Sequence, residues 1–135
     1  MEEVTLSTIN WLAGLGATVV AFLIGGIWYG PIFGKAWMKA GDFTEEYLKN
    51  RNMGMVFGLS FLLTLVAAIN LEMFIGPKGN INFGMFAGFM TGLGFVAMFL
   101  GILYLFEKRS LKLFLINAGY CIVTLTVMGA ILGNW

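Results

Sequence analysis

Charged residues divide the chain into four long stretches that contain no Asp, Glu, Lys or Arg. These stretches cover residues 4–34, 52–71, 79–106 and 113–135, and each holds at least 20 residues. About 20 apolar residues in a helix, at about 1.5 Å per residue, cover the roughly 30 Å of a bilayer's hydrocarbon core. A helix also satisfies its own backbone hydrogen bonds in lipid. The pattern therefore predicts four spanning helices, near residues 9–30, 53–75, 83–106 and 111–133.

Residues that break helices lie at the ends of these stretches. Pro31 follows Gly30 and is predicted to end the first helix, because proline lacks a backbone N–H. The run GPKGN at 76–80 predicts a tight turn between helices two and three, and 107–110 separates helices three and four. Connections this short make sequential helices antiparallel. The sequence thus predicts an all-α integral membrane protein. One domain over residues 1–135 holds four antiparallel transmembrane helices in a compact bundle, with a short interfacial segment between helices one and two.

Lysines and arginines are distributed unevenly over the connections. Seven lie between helices one and two or between helices three and four: Lys35, Lys39, Lys49, Arg51, Lys108, Arg109 and Lys112. The remaining one, Lys78, lies between helices two and three. Connections rich in lysine and arginine face the cytoplasm in membrane proteins. We therefore expect loops 31–52 and 107–112 to be cytoplasmic and both termini to lie on the outer side.

The segment around the end of the first helix combines aromatic residues with cations. It contains Trp28, Tyr29, Pro31, Lys35 and Trp37. Tryptophan and tyrosine favour the headgroup level of a bilayer, so we interpret this run as an interfacial motif. Thr44 is expected to cap a short helix that follows it. Two interpretations stay open: an anchor and connector, or a docking surface for a partner or for anionic lipid.

Composition narrows the range of functions. Hydrophobic residues make up 59% of the chain and charged residues 11%, whereas a soluble domain is about 25% charged. Lipid is therefore the expected solvent for most of the surface. The net charge of +1 argues against a nucleic-acid partner, which needs many cations on one face. The chain has no histidine, and Cys121 is the single cysteine. The commonest general base and metal ligand is thus missing, and we expect no metal and no cofactor.

Many of the 19 glycines recur at helical spacing. The first helix carries Gly25, Gly26 and Gly30; the third carries Gly84, Gly88 and Gly92 on one face and Gly94, Ala97 and Gly101 on a second. Lipid tails are as apolar as leucine, so close backbone approach must hold spanning helices together. Two small-residue faces predict that the third helix packs on two sides, at the centre of the bundle. The stripes either close the bundle or leave one face for self-association or for another subunit.

Polar residues at membrane depth are candidate ligand sites. Asn10, Asn70, Glu72 and Asn82 all fall near the outer ends of their helices. Asn70 and Glu72 cannot share one helix face, so a polar cluster there would hold Asn10, Asn82 and one of these two; it would bind a ligand or an ion, or would simply cap helices. Asn117 is deeper, two turns into the fourth helix. Tyr120, Cys121 and Thr124 share its face. An amide in hydrocarbon needs partners, so this face is either a contact between helices or part of a translocation path.

Four runs in the chain carry a family resemblance. They are Asn10-Trp11, the run WYGPIFGKAWM from Trp28, the run NAGY from Asn117, and the C-terminal MGAILGNW from Met128. Over nearly the whole chain these runs resemble the domain of unknown function 1761 family. The resemblance implies a small four-span protein of the bacterial inner membrane. It implies no activity.

These observations favour a non-enzymatic membrane protein that contacts membrane lipids and either forms a homo-oligomer or serves as an accessory subunit of a membrane complex. Its support is the excess of small-residue faces. The alternative is a small transporter or channel for an ion or small molecule. Small four-span multidrug exporters, the analogy for this alternative, need a carboxylate inside the membrane to couple protons to substrate, and Glu72 lies near the surface. An enzyme acting on lipid or quinone is disfavoured, because the chain offers no histidine, no cysteine pair and no serine–base arrangement.

Overall fold

The computed structural model describes residues 9–77 and 79–135, and every regular element in these ranges is a helix. The helices are α1 (Trp11–Ile32), α2 (Gly34–Gly41), α3 (Glu45–Lys49), α4 (Met53–Ile75), α5 (Ile81–Phe106) and α6 (Leu111–Asn134). Four of them, α1, α4, α5 and α6, are long and apolar enough to cross a membrane. They pack as an antiparallel bundle, so the predicted fold class is confirmed. Residues 1–8 and Lys78, to which we assigned an outer position, lie outside the described residues.

Polar side chains fix where the helices begin. Each accepts a hydrogen bond from the backbone N–H three residues ahead, at 2.8–3.1 Å, and these residues are Asn10, Thr44, Asn52, Asn80 and Ser110. Such caps satisfy N–H groups that a helix cannot pair internally. The cap predicted at Thr44 is therefore confirmed.

Pro31 does not end α1, contrary to the prediction. The helix continues to Ile32, and its last turn widens into a π-helical turn over Trp28–Ile32. The Phe33 N–H donates to the Trp28 carbonyl, five residues back, at 2.8 Å. This wider turn accommodates the ring and the missing N–H of the proline. Phe33, with φ −118° and ψ 4°, ends the helix instead.

The fourth spanning helix, α6, is the packing centre of the bundle, and the prediction that gave this place to α5 was wrong. α6 contacts α1, α4 and α5, and its contact with α5 is the most extensive in the described part of the chain. Glycines line that contact from both sides. A Cβ atom added to Gly84 would overlap the Gly129 carbonyl, and one added to Gly88 would overlap the Leu125 carbonyl. The two backbones therefore touch directly, as helices in lipid do at small residues.

A π-helical turn explains why both small-residue stripes of α5 meet α6. The turn covers Gly92–Ala97 and adds a residue to the helical repeat. Gly92 lies against the Ile122 backbone, Ala97 is buried, and Gly101 lies against the Phe114 ring. Both predicted stripes thus meet α6. Gly94 alone departs from this face, because a Cβ atom there would meet nothing within 4 Å.

α4 packs tightly at one end and diverges at the other. Its buried residues, Ala68, Leu71 and Ile75, all lie in its last two to three turns. They meet the buried alanines in the first half of α1, which are Ala13, Ala17 and Ala21. No residue of α4 before Ala68 is buried. Toward the end of the bundle that carries α2 and α3, side chains of α1, α4 and α6 surround an open space, so α4 diverges from the other helices there. This divergence opens a cavity inside the bundle.

Candidate functional site

The cavity has a volume of about 610 Å³ and lies between α1, α4 and α6. Apolar side chains form its deeper walls. Phe22 of α1 packs edge-on against Phe61 and at a tilt against Phe57, with ring centroids 5.7 and 6.3 Å apart. The volume falls within the roughly 300–1,000 Å³ that is usual for small-molecule sites. The space therefore suits one ligand of moderate size.

Gly26 and Gly30 line this cavity. The packing predicted for these two glycines is not found, because a Cβ atom at either one would meet nothing within 4 Å. The divergence of α4 removes the helix that would have packed there. Gly25, by contrast, lies against the Tyr120 ring of α6. The small residues at the end of α1 thus leave room in the cavity.

A hydrogen-bonded chain of three side chains forms a polar wall. The Tyr29 hydroxyl donates to Asn117 Oδ1 at 2.7 Å. Asn117 Nδ2 donates to the Tyr104 hydroxyl, also at 2.7 Å. These bonds join α1, α5 and α6, so the predicted amide contact between helices is present. Because the Tyr104 oxygen accepts from Asn117, its own proton remains available to a ligand, as does the second N–H of Asn117.

Aromatic rings of the interfacial motif line the cavity beside the hydrogen-bonded chain Tyr29–Asn117–Tyr104. Tyr29 meets Tyr120 and Trp37 edge-on, with centroids 5.2 and 5.4 Å apart, and Trp37 packs against Phe43 at 4.7 Å. The Trp28 indole N–H donates to the Ile116 carbonyl at 2.9 Å, which ties the end of α1 to α6. Trp28 and Tyr29 therefore hydrogen-bond within the bundle. Pro31 and Lys35 are exposed.

Two arginines lie at the open end of the cavity. Arg51 precedes α4, and its Nε donates to the Leu48 carbonyl at 2.9 Å. Arg109 precedes α6, and its Nε donates to Glu107 Oε1 at 2.7 Å. That carboxylate raises the pKa of Arg109 above its ordinary value, chiefly by accepting the hydrogen bond. Arg109 also lies over the Tyr104 ring, 5.9 Å from its centroid. Neither arginine uses its terminal NH₂ groups in a bond to the described residues.

The polar residues that were predicted to lie near the outer ends of the helices come together only in part. Glu72 Oε1 accepts a hydrogen bond from the Asn10 backbone N–H at 2.5 Å, at the start of α1. A carboxylate there faces the positive end of the helix dipole. The two residues border a smaller cavity of about 190 Å³. Asn70 and Asn82 are exposed, and their side chains make no hydrogen bond to residues 9–77 or 79–135.

Residues 9–77 and 79–135 form no cluster of metal-binding side chains. No group of three or more His, Cys, Asp or Glu side chains comes close enough there to hold an ion. Cys121 is a free thiol of intermediate exposure beside Tyr120 in α6.

Tyr104, Arg51 and Arg109 were not predicted to belong to a site. One signal for Tyr104 exists in the sequence. Tyr104 and Asn117 are equally far from the Ser110–Leu111 bond, and residues placed symmetrically about the turn of a helical hairpin lie at the same height. The arginines offer no such signal, because their approach to the cavity depends on the divergence of α4.

Comparison with known proteins gives one match. A family model described as "Protein of unknown function (DUF1761)" matches residues 12–133. No curated protein and no solved structure matches the chain. The match covers the four spanning helices except Trp11 and Asn134, and it covers all of the cavity-lining residues. It agrees with the resemblance found in the sequence. The chain is therefore a membrane protein that belongs to the DUF1761 family.

Proposed function

We propose that this protein is a non-enzymatic component of a bacterial inner membrane that holds one amphiphilic molecule in the cavity between α1, α4 and α6. The observation that carries the proposal is that one cavity has both an apolar part and a polar part. Phenylalanines line the deep part, and the Tyr29–Asn117–Tyr104 chain lines the part nearer the arginines. Sites for small molecules combine an apolar lining with a few placed polar groups in this way.

The depth of the cavity supports a ligand from the surrounding leaflet. Ten residues separate Phe22 from the end of α1 at Ile32, since 32 − 22 = 10, which is about 15 Å along a helix. That length is half of a hydrocarbon core of about 30 Å. The cavity thus reaches from one membrane surface to the bilayer centre. Loops 31–52 and 107–112 lie at its open end, and the excess of cations in these loops favours the cytoplasmic side.

Native mass spectrometry tests this proposal. The protein is extracted from its expression host in mild detergent, and retained host lipids are counted per chain. Wild type is expected to retain one amphiphile. Gly26→Leu would fill the cavity and is expected to reduce retention at least tenfold. Gly58→Leu is the matched control, because Gly58 also has nothing within 4 Å but lies outside the cavity; it should behave as wild type.

The result that contradicts the proposal is equally definite. If wild type carries no retained lipid, or if both leucine variants retain as much as wild type, the cavity does not hold an amphiphile. Circular dichroism of each variant shows that its helices have formed.

Self-association or an accessory-subunit role is the second candidate. The α5 stripe of Gly84, Gly88 and Gly92 is occupied by α6, so the open positions that favour this role are Gly58 and Gly94. Sizing of gently purified protein, with Gly94→Leu as the variant, tests it. A monomer that co-purifies with no other protein would remove this candidate.

The transporter alternative receives less support from the geometry. Its one carboxylate in a described span is Glu72, which bonds to the start of α1. We expect unchanged flux of any transported ion in liposomes after Glu72→Gln. A loss of proton-coupled flux in that variant would favour a transporter instead.

A further inference from the structure

The cavity presents its polar groups in two layers. Nearest the open end are the guanidinium groups of Arg51 and Arg109, each with terminal NH₂ groups free of the described residues. Arg109 lies over the Tyr104 ring. Deeper, the Tyr104 and Asn117 side chains offer N–H and O–H donors. Asn117 is six residues into α6, since 117 − 111 = 6, or about 9 Å from its start.

A phospholipid has acceptors in the same order. Its phosphate is outermost, its two ester carbonyls lie below the phosphate, and its acyl chains follow. Guanidinium groups bind phosphate through paired N–H donors. The amide and hydroxyl donors of the second layer suit ester carbonyls, and the phenylalanine walls suit an acyl chain.

We infer that the ligand is an anionic phospholipid of the leaflet beside loops 31–52 and 107–112, bound with its phosphate at Arg51 and Arg109 and one acyl chain in the cavity. This inference rests on the proposed function and names the class of ligand for that site. The ligand is inferred to carry net negative charge because two arginines lie at the open end. Among the described residues, the carboxylate in contact with these arginines is Glu107, which is paired with Arg109. A zwitterionic headgroup would bring its own ammonium group against these arginines.

Trp37 provides a reporter inside the site. It lines the cavity, whereas Trp11 is 52% exposed at the opposite end of α1. Brominated phospholipids quench tryptophan emission on contact. The protein is reconstituted in phosphatidylcholine vesicles that contain increasing fractions of brominated phosphatidylglycerol or brominated phosphatidylcholine. The difference between wild type and Trp37→Phe gives the quenching at the cavity, and the difference between wild type and Trp11→Phe gives the quenching at ordinary lipid contacts.

Brominated phosphatidylglycerol is expected to quench the Trp37-dependent emission at a lower mole fraction than brominated phosphatidylcholine, with no such preference at Trp11. Arg51→Gln or Arg109→Gln should each weaken the preference about fivefold, because a cation near the surface contributes about that factor to anionic-lipid binding. Lys112→Gln is the control. Lys112 is an exposed cation at the end of loop 107–112, and its side chain does not line the cavity.

The outcomes separate this inference from the proposed function. If both brominated lipids quench Trp37 beyond Trp11 but equally well, the cavity binds lipid without charge selection and the inference is overturned while the proposed function stands. An equal loss of preference in Lys112→Gln would reduce the effect to general surface charge and also overturn it. If Trp37 is quenched no more than Trp11 by either lipid, both fail.

Discussion

At the scale of single residues, Asn117 shows how one amide organises a bundle in lipid. Its oxygen and nitrogen bond to tyrosines on two other helices, at 2.7 Å each. The hydrocarbon offers these groups no alternative partner, so their loss leaves two hydroxyls in a medium that cannot solvate them. The same amide leaves one N–H toward the cavity. Bundle stability and the proposed ligand binding therefore depend on the same side chain.

Replacing Asn117 by alanine is expected to destabilise the bundle by about 1–2 kcal/mol, since two hydrogen bonds between helices are lost. Unfolding of the reconstituted protein by dodecyl sulfate in mixed micelles measures this. Asn82→Ala is the matched control, because Asn82 is exposed and its side chain has no hydrogen bond to the described residues. Equal unfolding midpoints for the two variants would contradict the assigned role of Asn117.

Glu72 leads to a second prediction at this scale. Glu72→Leu removes the acceptor and the negative charge at the start of α1, and we expect a loss of about 1 kcal/mol. Asn70→Leu, two residues away in the same helix but exposed, should be within about 0.5 kcal/mol of wild type. The same denaturation assay compares them. A neutral Glu72→Leu would show that this bond does not stabilise α1.

At the scale of the elements, close backbone contact at glycines holds α5 and α6 together. Glycines on both helices let the two backbones touch, so dispersion contacts and weak backbone interactions accumulate along the whole pair. The π-helical turn Gly92–Ala97 keeps small residues on this face over the length of α5. Without that turn, the second stripe would point away from α6. A second π-helical turn, Trp28–Ile32, ends α1 just before α2 begins at Gly34.

Gly88→Ala tests this contact. The added methyl group would overlap the Leu125 carbonyl, so the helices must separate, and we expect a loss of about 1–3 kcal/mol. Gly58→Ala adds the same methyl group to α4 where nothing lies within 4 Å, and it should be neutral or slightly stabilising. Thermal aggregation of the detergent-solubilised variants gives the order. If Gly88→Ala were as stable as Gly58→Ala, the close approach of α5 and α6 would not hold the bundle together.

At the scale of the whole molecule, the bundle is packed more tightly at one end than at the other. Buried residues near Asn10 leave a cavity of about 190 Å³, whereas the divergence of α4 leaves one of about 610 Å³ near α2 and α3. Seven of the eight lysines and arginines lie at the open end. The protein therefore combines its internal space and its positive charge at one membrane surface.

Cysteine labelling in intact cells tests the orientation that this asymmetry predicts. In a Cys121→Ala background, Pro77→Cys should react with a membrane-impermeant maleimide. Asn50→Cys should react only after the cells are lysed, because loop 31–52 is expected in the cytoplasm. Both positions are exposed, and both substitutions leave the lysine and arginine balance unchanged. The reverse labelling pattern would place the open end of the cavity on the outer side.

The sequence by itself determined the four spanning helices, their antiparallel order and the cap at Thr44. These follow from local causes: hydropathy over about 20 residues, short polar turns, and side chains that bond to backbone three residues ahead. Asn117 was also identified from sequence, because an amide in an apolar run needs a partner.

Only the tertiary structure decided which partners Asn117 has, which helix lies at the centre, and where the bundle opens. The prediction made from the glycine spacing assumed a regular α-helix. The π-helical turn in α5 changed the register of the helix by one residue. The cavity depends on the angle between α1 and α4, which no single helix encodes because it results from small side chains packing at one end only. Arg51 and Arg109 come to the same opening for that reason, although they are far apart in the chain.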